Sequence, residues 1–415
     1  MDPQEDIVKR IFLFLALMAL PLYAMAGVFD ITIAVDAYSP YYQSFSSVED
    51  MIDELDTDQI LSHFAGYDED TSSADVEMNF RGVPITLSFG ASSTKLILNI
   101  PSIGVYEEFE GADRDDSVDM LKDWFEKDGG DALTALQKEL IAETPSDPIA
   151  GNPSSLMSRM VSMDFDQAVN PDSSVEINGE TKSDINANMI SIFAKYGNYT
   201  TDGVKSKEYA IPLAYTIRFN NSKNTLAIRM PISMVSVEDS KAYNLGLGLA
   251  LGYYVNDNWK LTPSVGYGAV GSIDMGSVGQ IISGALTSVY TFKLKKFDIL
   301  MGNMLGHYKT IPFKTGDYDI DPDIQNTVLR NGLNFIIPMG KVTSLELFGT
   351  DTRYYGSDLF IDTYNEVGFS YGFRKSVDKE TGKGIKNYAS QLRGGLTYLF
   401  SDESHGFTFN FGFVF

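Results

Sequence analysis

The sequence predicts an all-β fold, a closed antiparallel transmembrane β-barrel of about 16 strands with helical inserts in long external or lumen loops. Three observations predict it: an export-type apolar segment near the N-terminus, long stretches in which apolar residues alternate with small or polar ones, and short polar turns that alternate with longer loops. The alternation carries most weight, because a barrel strand presents every second side chain to lipid and the others to the lumen. Each stretch is long enough for a tilted strand to cross a bilayer, which takes about 9–11 residues.

The composition excludes several classes of protein. The 415 residues include no cysteine and only three histidines, so disulfides, cysteine-based metal sites and a histidine-rich metal centre are not expected. The net charge of −24 argues against nonspecific binding to nucleic acid. We expect no cofactor and no nucleic-acid partner.

Residues 1–26 are predicted to be a signal peptide. Lys9 and Arg10 precede the apolar run from Ile11 to Leu20, and the sequence Ala24-Met25-Ala26 matches a signal-peptidase site. The run is too short to anchor a helix across a bilayer. We therefore expect cleavage near Ala26 and a mature chain outside the cytoplasm.

The last strand has the most specific pattern in the chain. Its five phenylalanines fall on one face of an extended strand, and Thr408, Asn410, Gly412 and Val414 fall on the other. The aromatic residues, expected to face lipid, are Phe407, Phe409, Phe411, Phe413 and Phe415. This terminus resembles the C-terminal strand of Gram-negative outer-membrane β-barrel proteins. The resemblance implies an outer-membrane location, contact with its lipid, and recognition of the last strand by the barrel-assembly machinery.

Residues 184–415 are predicted to be the main barrel region, with twelve clear alternating segments. One of them places Leu245, Leu247, Leu249, Leu251 and Tyr253 opposite Gly246, Gly248, Ala250 and Gly252. Residues 27–183 form an acidic N-terminal region with about four further candidate strands, at 29–35, 76–89, 96–100 and 161–165. Helical spacing of apolar residues predicts inserts at 48–64 and 116–142.

The charge is divided unevenly along the chain. Residues 1–183 hold 10 Lys+Arg and 35 Asp+Glu, whereas residues 184–415 hold 22 and 21. Strand parity predicts lumen-facing charges at Arg218, Arg229, Arg330, Arg374, Arg393, Asp298, Glu346 and Glu366. The acidic region either faces water or pairs with this arginine row, for example through residues 107–131, and so constricts the pore. Small inward residues at 246–252 and 264–268 either leave space for an inserted element or help the sheet to curve.

The sequence carries few motifs for chemistry, and we expect no enzyme. The histidines lie far apart without recognisable partners, and the alternating acids Asp317, Asp319, Asp321 and Asp323 are only a weak candidate for a metal-binding loop. The preferred hypothesis is a porin-like passive channel or transporter for small solutes, with a lumen-inserted loop. The alternatives are an autotransporter-like translocator barrel with a short N-terminal passenger, and a structural or adhesive surface barrel without transport. Solute identity and oligomeric state are not specified by the sequence.

Overall fold

The N-terminal residues form a six-stranded antiparallel sheet that is separate from the barrel. The structure is a computed structural model that describes residues 28–169, 189–219, 222–315, 318–340, 343–373 and 392–414. The sheet has the strand order β2-β1-β3-β4-β5-β6 and comprises β1 (Phe29–Val35), β2 (Tyr41–Phe45), β3 (Ala74–Phe80), β4 (Val83–Phe89), β5 (Lys95–Ile100) and β6 (Val105–Glu110). Four α-helices accompany it, α1 (Val48–Asp53), α2 (Thr57–His63), α3 (Arg114–Lys127) and α4 (Gly130–Glu143), with a 3-10 turn at Pro101–Ile103. We call residues 28–143 the N-terminal unit.

One face of this sheet packs against the helices. Phe29, Ile31 and Ile33 of β1 are fully buried, in a cluster that includes Met51 of α1 and Leu140 of α4. A sheet with one face covered by helices needs apolar residues only at every second position. The N-terminal unit therefore shows the same period of two as a lipid-facing strand.

A fifth helix and a twelve-stranded barrel follow. Helix α5 spans Leu156–Val169. The barrel strands are β7 (Met189–Thr201), β8 (Val204–Arg218), β9 (Thr225–Val237), β10 (Ser240–Tyr254), β11 (Trp259–Ser272), β12 (Ser277–Lys293), β13 (Asp298–Ile311), β16 (Gln325–Met339), β17 (Thr343–Gly356), β18 (Thr363–Phe373), β19 (Arg393–Phe400) and β20 (Ser404–Val414). Strands β14 (Phe313–Thr315) and β15 (Tyr318–Ile320) form a small hairpin between β13 and β16 and are not part of the barrel. The barrel closes where β20 pairs with β7, with Phe409 opposite Tyr196 and Val414 opposite Ser191.

The two faces of the barrel wall differ as the alternation predicts. Leu245 and Leu247 of β10 are 58% and 51% exposed, whereas Ala250 on the inward face of the same strand is 2% exposed. Phe407, Phe409 and Phe411 also point outward, while the side chains of Phe413 and Phe415 lie outside the described residues. None of the helices in the described part of the chain is long and apolar enough to cross a bilayer.

The N-terminal unit sits at one end of the barrel. The amide of Val48 donates to the carbonyl of Asp274 at 2.8 Å, in the turn between β11 and β12. Ser240 is the first residue of β10, and its hydroxyl donates a hydrogen bond to the carbonyl of Ser46. The paired ends of β7 and β20, at Ser191 and Val414, lie at the opposite end of these antiparallel strands.

The expected number of about 16 strands is wrong, because the barrel has 12. Three of the four N-terminal candidates, at 29–35, 76–89 and 96–100, lie in the separate sheet, and the candidate at 76–89 is two strands, β3 and β4, joined by a turn at Gly82. The fourth, 161–165, lies in helix α5. The expected helical inserts occur as two pairs, at 48–53 with 57–63 and at 114–127 with 130–143.

Candidate functional site: a helix inside the barrel lumen

Helix α5 lies inside the barrel and passes from the end that carries the N-terminal unit toward the opposite end. Its first turn contacts β11 near Gly268, close to the strand end that joins the turn beneath the N-terminal unit. Its last turn contacts β13 near Gly302, close to the other end of that strand. The fourteen residues of the helix span about 21 Å at 1.5 Å per residue. This length covers most of the apolar band of a membrane barrel, which is about 25 Å tall.

Glycines in the wall make room for the helix. A Cβ atom at Gly268 would lie 2.8 Å from Leu156 Cδ1 and 2.8 Å from Met160 Sδ, and one at Gly302 would lie 2.8 Å from Val169 Cγ2. Such distances are below van der Waals contact, so the helix axis can approach the wall this closely only where the wall residue has no side chain. Gly246 and Gly248 instead face Pro231 and Arg229 of the neighbouring strand β9. Only part of the stripe of small residues therefore accommodates the inserted element.

A buried ion pair joins the middle of the helix to the wall. Arg229 Nη2 of β9 lies 2.6 Å from Asp164 Oδ1, and their side chains are 1% and 2% exposed. The Tyr308 hydroxyl of β13 donates to the other carboxylate oxygen of Asp164 at 2.8 Å. Arg229 Nη1 also donates to the carbonyl of Met163 at 3.2 Å. Asp164 is thus held by two strands on different sides of the lumen.

A second cluster surrounds Glu208, a fully buried carboxylate on β8. Arg159 of the helix lies 3.5 Å from one of its oxygens, and Lys195 of β7 lies 3.2 Å from the other. The Tyr199 hydroxyl donates to the same carboxylate at 3.1 Å. Arg159 also donates to the Ser233 hydroxyl of β9 at 2.7 Å. Three strands of the wall therefore converge on one turn of α5.

The other side of the helix meets β16 and β17, and β18 supports this contact through Glu366. The guanidinium of Arg330 lies over the ring of Phe165, 5.1 Å from its centroid, and pairs with Glu366 at 2.6 Å. The Tyr354 hydroxyl donates to the Ser158 hydroxyl at 3.2 Å. These contacts complete a ring of polar attachments around an apolar helix, whose buried residues form one cluster with the wall.

A buried segment closes the mouth above the helix. Asp147 forms an ion pair with Arg81 of the N-terminal unit, with side chains 2% and 1% exposed. Asp147 also accepts from the amide of Ile149 at 2.7 Å, and the Ile149 side chain packs on Gly279 of β12. The amide of Ile361, in the loop between β17 and β18, donates to the carbonyl of Gly151 at 3.0 Å. The mouth is therefore sealed by the segment that leads into α5.

The residues predicted from strand parity have different environments. Arg229, Arg330 and Glu366 take part in the attachments of the helix, whereas Arg393 and Glu346 pair with each other at 2.8 Å within the wall. Arg218 and Asp298 are half-buried near the strand ends remote from the N-terminal unit, and Arg374 lies outside the described residues.

The acidic partner of the arginines is not the one expected. Residues 107–131 belong to β6 and α3 of the N-terminal unit rather than to the lumen. The carboxylate that meets Arg229 is Asp164, which lay within a candidate strand. Glu208 and Tyr308 share the inward parity of Arg218 and Asp298, so the parity rule could have found them. Asp164 was missed because residues 161–165 have the alternation of a strand. A helical spacing of Leu156, Met160 and Val161 was the available signal.

The acidic loop does not form a cation site in the described structure. Asp321 accepts from the Thr310 hydroxyl and from the amide of Asp323, both at 2.9 Å. Asp323 lies 3.7 Å from Lys309. Asp317 and the side chain of Asp319 lie outside the described residues. Among the residues that the structure describes, no group of three or more His, Asp or Glu is arranged to hold a metal ion.

No protein-family model matches the chain, and no curated protein matches it. Several solved outer-membrane barrels are similar. The translocator domain of the autotransporter NalP from Neisseria meningitidis is 12% identical, with a TM-score of 0.44, over 63% of this chain and 94% of that one. The beta domain of the Bordetella autotransporter BrkA is 11% identical, with a TM-score of 0.39, over 55% and 99%. An outer membrane channel from Pseudomonas putida F1 is 14% identical, with a TM-score of 0.38, over 58% and 100%.

Because each of these TM-scores is below 0.5, no function is transferred from those structures. The closed barrel of 12 antiparallel strands with its apolar outer surface confirms the predicted class, an outer-membrane β-barrel.

Proposed function

We propose that this protein is an autotransporter-like surface barrel of the Gram-negative outer membrane. It holds its own acidic N-terminal unit at the cell surface and tethers the unit through its own lumen. The observation that carries the proposal is the path of the chain. The N-terminal unit lies at one end of the barrel, α5 runs inside the lumen, and the first barrel strand begins at the other end.

The orientation follows from the strand ends. In outer-membrane barrels with an even number of strands, both barrel termini face the periplasm. The paired ends of β7 and β20 therefore mark the periplasmic side, and the N-terminal unit lies outside the cell. A chain that connects the outside to the periplasm through a closed barrel either passed through the lumen or was enclosed as the barrel closed.

This arrangement favours tethering over passive transport. A channel for small solutes needs a continuous wet lumen. Here Met157, Val161 and Phe165 of α5 are at most 2% exposed and pack directly against the wall. The passive channel is the second candidate, and the Arg393–Glu346 pair favours it, because this pair lines the lumen without engaging the helix.

The orientation can be tested by cysteine labelling, since the chain has no cysteine of its own. Asp58→Cys places a thiol on exposed α2 of the N-terminal unit. Asp257→Cys places one in the turn between β10 and β11 at the opposite end, where the Asp257 side chain is 77% exposed. We expect a membrane-impermeant maleimide to label Asp58→Cys on intact cells and Asp257→Cys only after the outer membrane is permeabilised. The reverse pattern would refute surface display.

Planar-bilayer conductance separates the two candidate functions. If α5 seals the lumen, the full chain inserts without steady conductance. A passive channel instead gives a constant open current with the N-terminal unit still attached. Steady conductance of the native chain would therefore overturn the sealed tether even where labelling places the N-terminal unit outside.

A further inference from the structure

A polar row interrupts the apolar outer surface of the barrel on one side. Asn303 of β13, Asn331 of β16, Asp351 of β17 and Asn365 of β18 are direct cross-strand neighbours. All four follow the outward parity of their strands, in which Met301, Leu329, Leu333 and Val367 are also exposed. The row crosses four adjacent strands, and Arg353 lies beside it, 54% exposed. We call these five residues the polar outer patch.

The centre of this patch lies in the apolar belt. Asn331 is flanked along its strand by Leu329 and Leu333, and Asn303 by Met301 and Leu305, all of them exposed. On the opposite side of the barrel the mid-strand outward positions are apolar, for example Ile211 of β8, which is 51% exposed. Lipid tails offer no hydrogen-bond partner, so polar groups in this belt are unfavourable unless protein satisfies them.

The asparagines satisfy one another only in part. Asn303 Nδ2 donates to Asn331 Oδ1 at 2.7 Å, and this bond uses one donor and one acceptor. The Asn303 oxygen and the Asn331 amide hydrogens keep capacity for further bonds. Nearby, Arg353 Nε donates to Asp351 at 3.1 Å and the guanidinium also hydrogen-bonds Tyr355, which together use only part of its five N–H donors.

We propose that the polar outer patch is a lateral docking surface for a second copy of this chain within the membrane. Two parallel copies related by a two-fold axis along the membrane normal would bring each patch against itself. An amide group, which both donates and accepts, is complementary to its own copy. The patch also carries one carboxylate and one guanidinium, so its charges complement those of a second patch.

Single cysteines in the cysteine-free chain test this contact. Asn331→Cys places a thiol at the centre of the patch, and Ile211→Cys places one at mid-strand on β8, half a barrel away. Both strands have 15 residues. Oxidation in native outer membranes should give at least tenfold more disulfide-linked dimer, at twice the protomer mass, for Asn331→Cys. Equal yields, no dimer, or a cross-link to a protein of another mass would overturn the proposal.

A second measurement separates docking from chance collisions. Leu333→Cys places the reporter beside the patch and leaves both asparagines in place. We expect the combined substitution of Asn303→Leu and Asn331→Leu in that background to lower the dimer yield at least fivefold. Unboiled samples that keep their fast electrophoretic migration would show that the barrel is still folded. An unchanged dimer yield in a folded barrel would show that the amides do not hold the contact.

Discussion

The ion pair between Asp164 and Arg229 should control whether the lumen is closed. Asp164→Ala removes the carboxylate that Arg229 and Tyr308 share and leaves the Arg229 guanidinium without its partner, in a place where it is 1% exposed. Removing one partner of a buried pair typically costs about 3–5 kcal/mol. Because water can enter the lumen once the helix moves, we take the lower value of about 3 kcal/mol. At about 1.4 kcal/mol per factor of ten, the ratio of open to closed barrels should rise roughly 150-fold.

Single-channel recording in planar bilayers measures this ratio as the open probability. The matched control is Arg393→Met, which breaks the wall pair with Glu346 at 2.8 Å without touching the helix. We expect opening events for Asp164→Ala and none beyond the native level for the control. The combined Asp164→Leu and Arg229→Met variant should close again in part, because no unpaired charge remains.

Two results would refute this reasoning. An open probability of Asp164→Ala equal to that of the native chain would show that the ion pair does not hold the helix. Equal opening by Arg393→Met would show that any loss of lumen charge loosens the barrel. Additive effects of Asp164→Leu and Arg229→Met, each measured alone and then in combination, would likewise show that these residues do not act as a pair.

Three further predictions concern the lumen, the outer surface and the N-terminal unit. The substitution Gly268→Val forces a side chain into Leu156 and Met160, and overpacking of this kind costs about 1–3 kcal/mol, so it should raise the open probability. The control Gly271→Val should leave the open probability unchanged, because a Cβ atom at Gly271 meets nothing within 4 Å. Phe409→Arg replaces an outward side chain that is 52% exposed and should lower barrel stability to urea by about 2–4 kcal/mol, whereas Tyr106→Arg on the N-terminal unit should leave it unchanged. Hydrogen bonds from Ser72 and Ser73 lower the pKa of Asp36. The stability that Asp36 contributes is therefore present above its unfolded pKa of about 3.9 and is lost as pH falls through the lower folded pKa. The protection of β1 amides against hydrogen exchange, relative to their intrinsic exchange rate at each pH, should fall over that acidic range in the native chain and depend less on pH in Asp36→Asn.

The barrel wall could be predicted from the sequence because, in each wall strand, every second side chain faces outward and is mostly apolar. Leu245 to Tyr253 meets lipid on one face, and Phe407 to Phe411 does the same at the closing strand. The same rule misassigned β1, since Phe29 and Ile31 alternate equally well when their face is covered by helices. Apolar residues at every second position indicate that one face of a strand is apolar. They do not indicate whether lipid or protein covers that face.

The candidate site was less accessible to sequence reasoning for a different reason. The alternation along the strands predicted that the side chains of Arg229 and Arg330 face the lumen. It gives the direction of a side chain but not the residue with which that side chain pairs. Asp164 meets Arg229 only because helix α5 enters the barrel, and the entry depends on wall glycines and on the seal at Asp147. These contacts join parts of the chain that lie far apart in sequence, so local sequence patterns do not predict them.

The two attachments of the tether lie at different depths and therefore have different consequences. The Arg81–Asp147 pair joins the N-terminal unit to the mouth, and the Asp164–Arg229 pair joins the helix to the middle of the wall. Loss of the upper pair leaves α5 in contact with Gly268 and Gly302, so the lumen should stay closed while the N-terminal unit gains freedom. Loss of the lower pair lets the helix shift and the lumen open, while the Arg81–Asp147 pair still holds the N-terminal unit at the mouth. The helix can leave the lumen only when both attachments have opened, which makes a tether of this kind suited to holding a surface unit permanently.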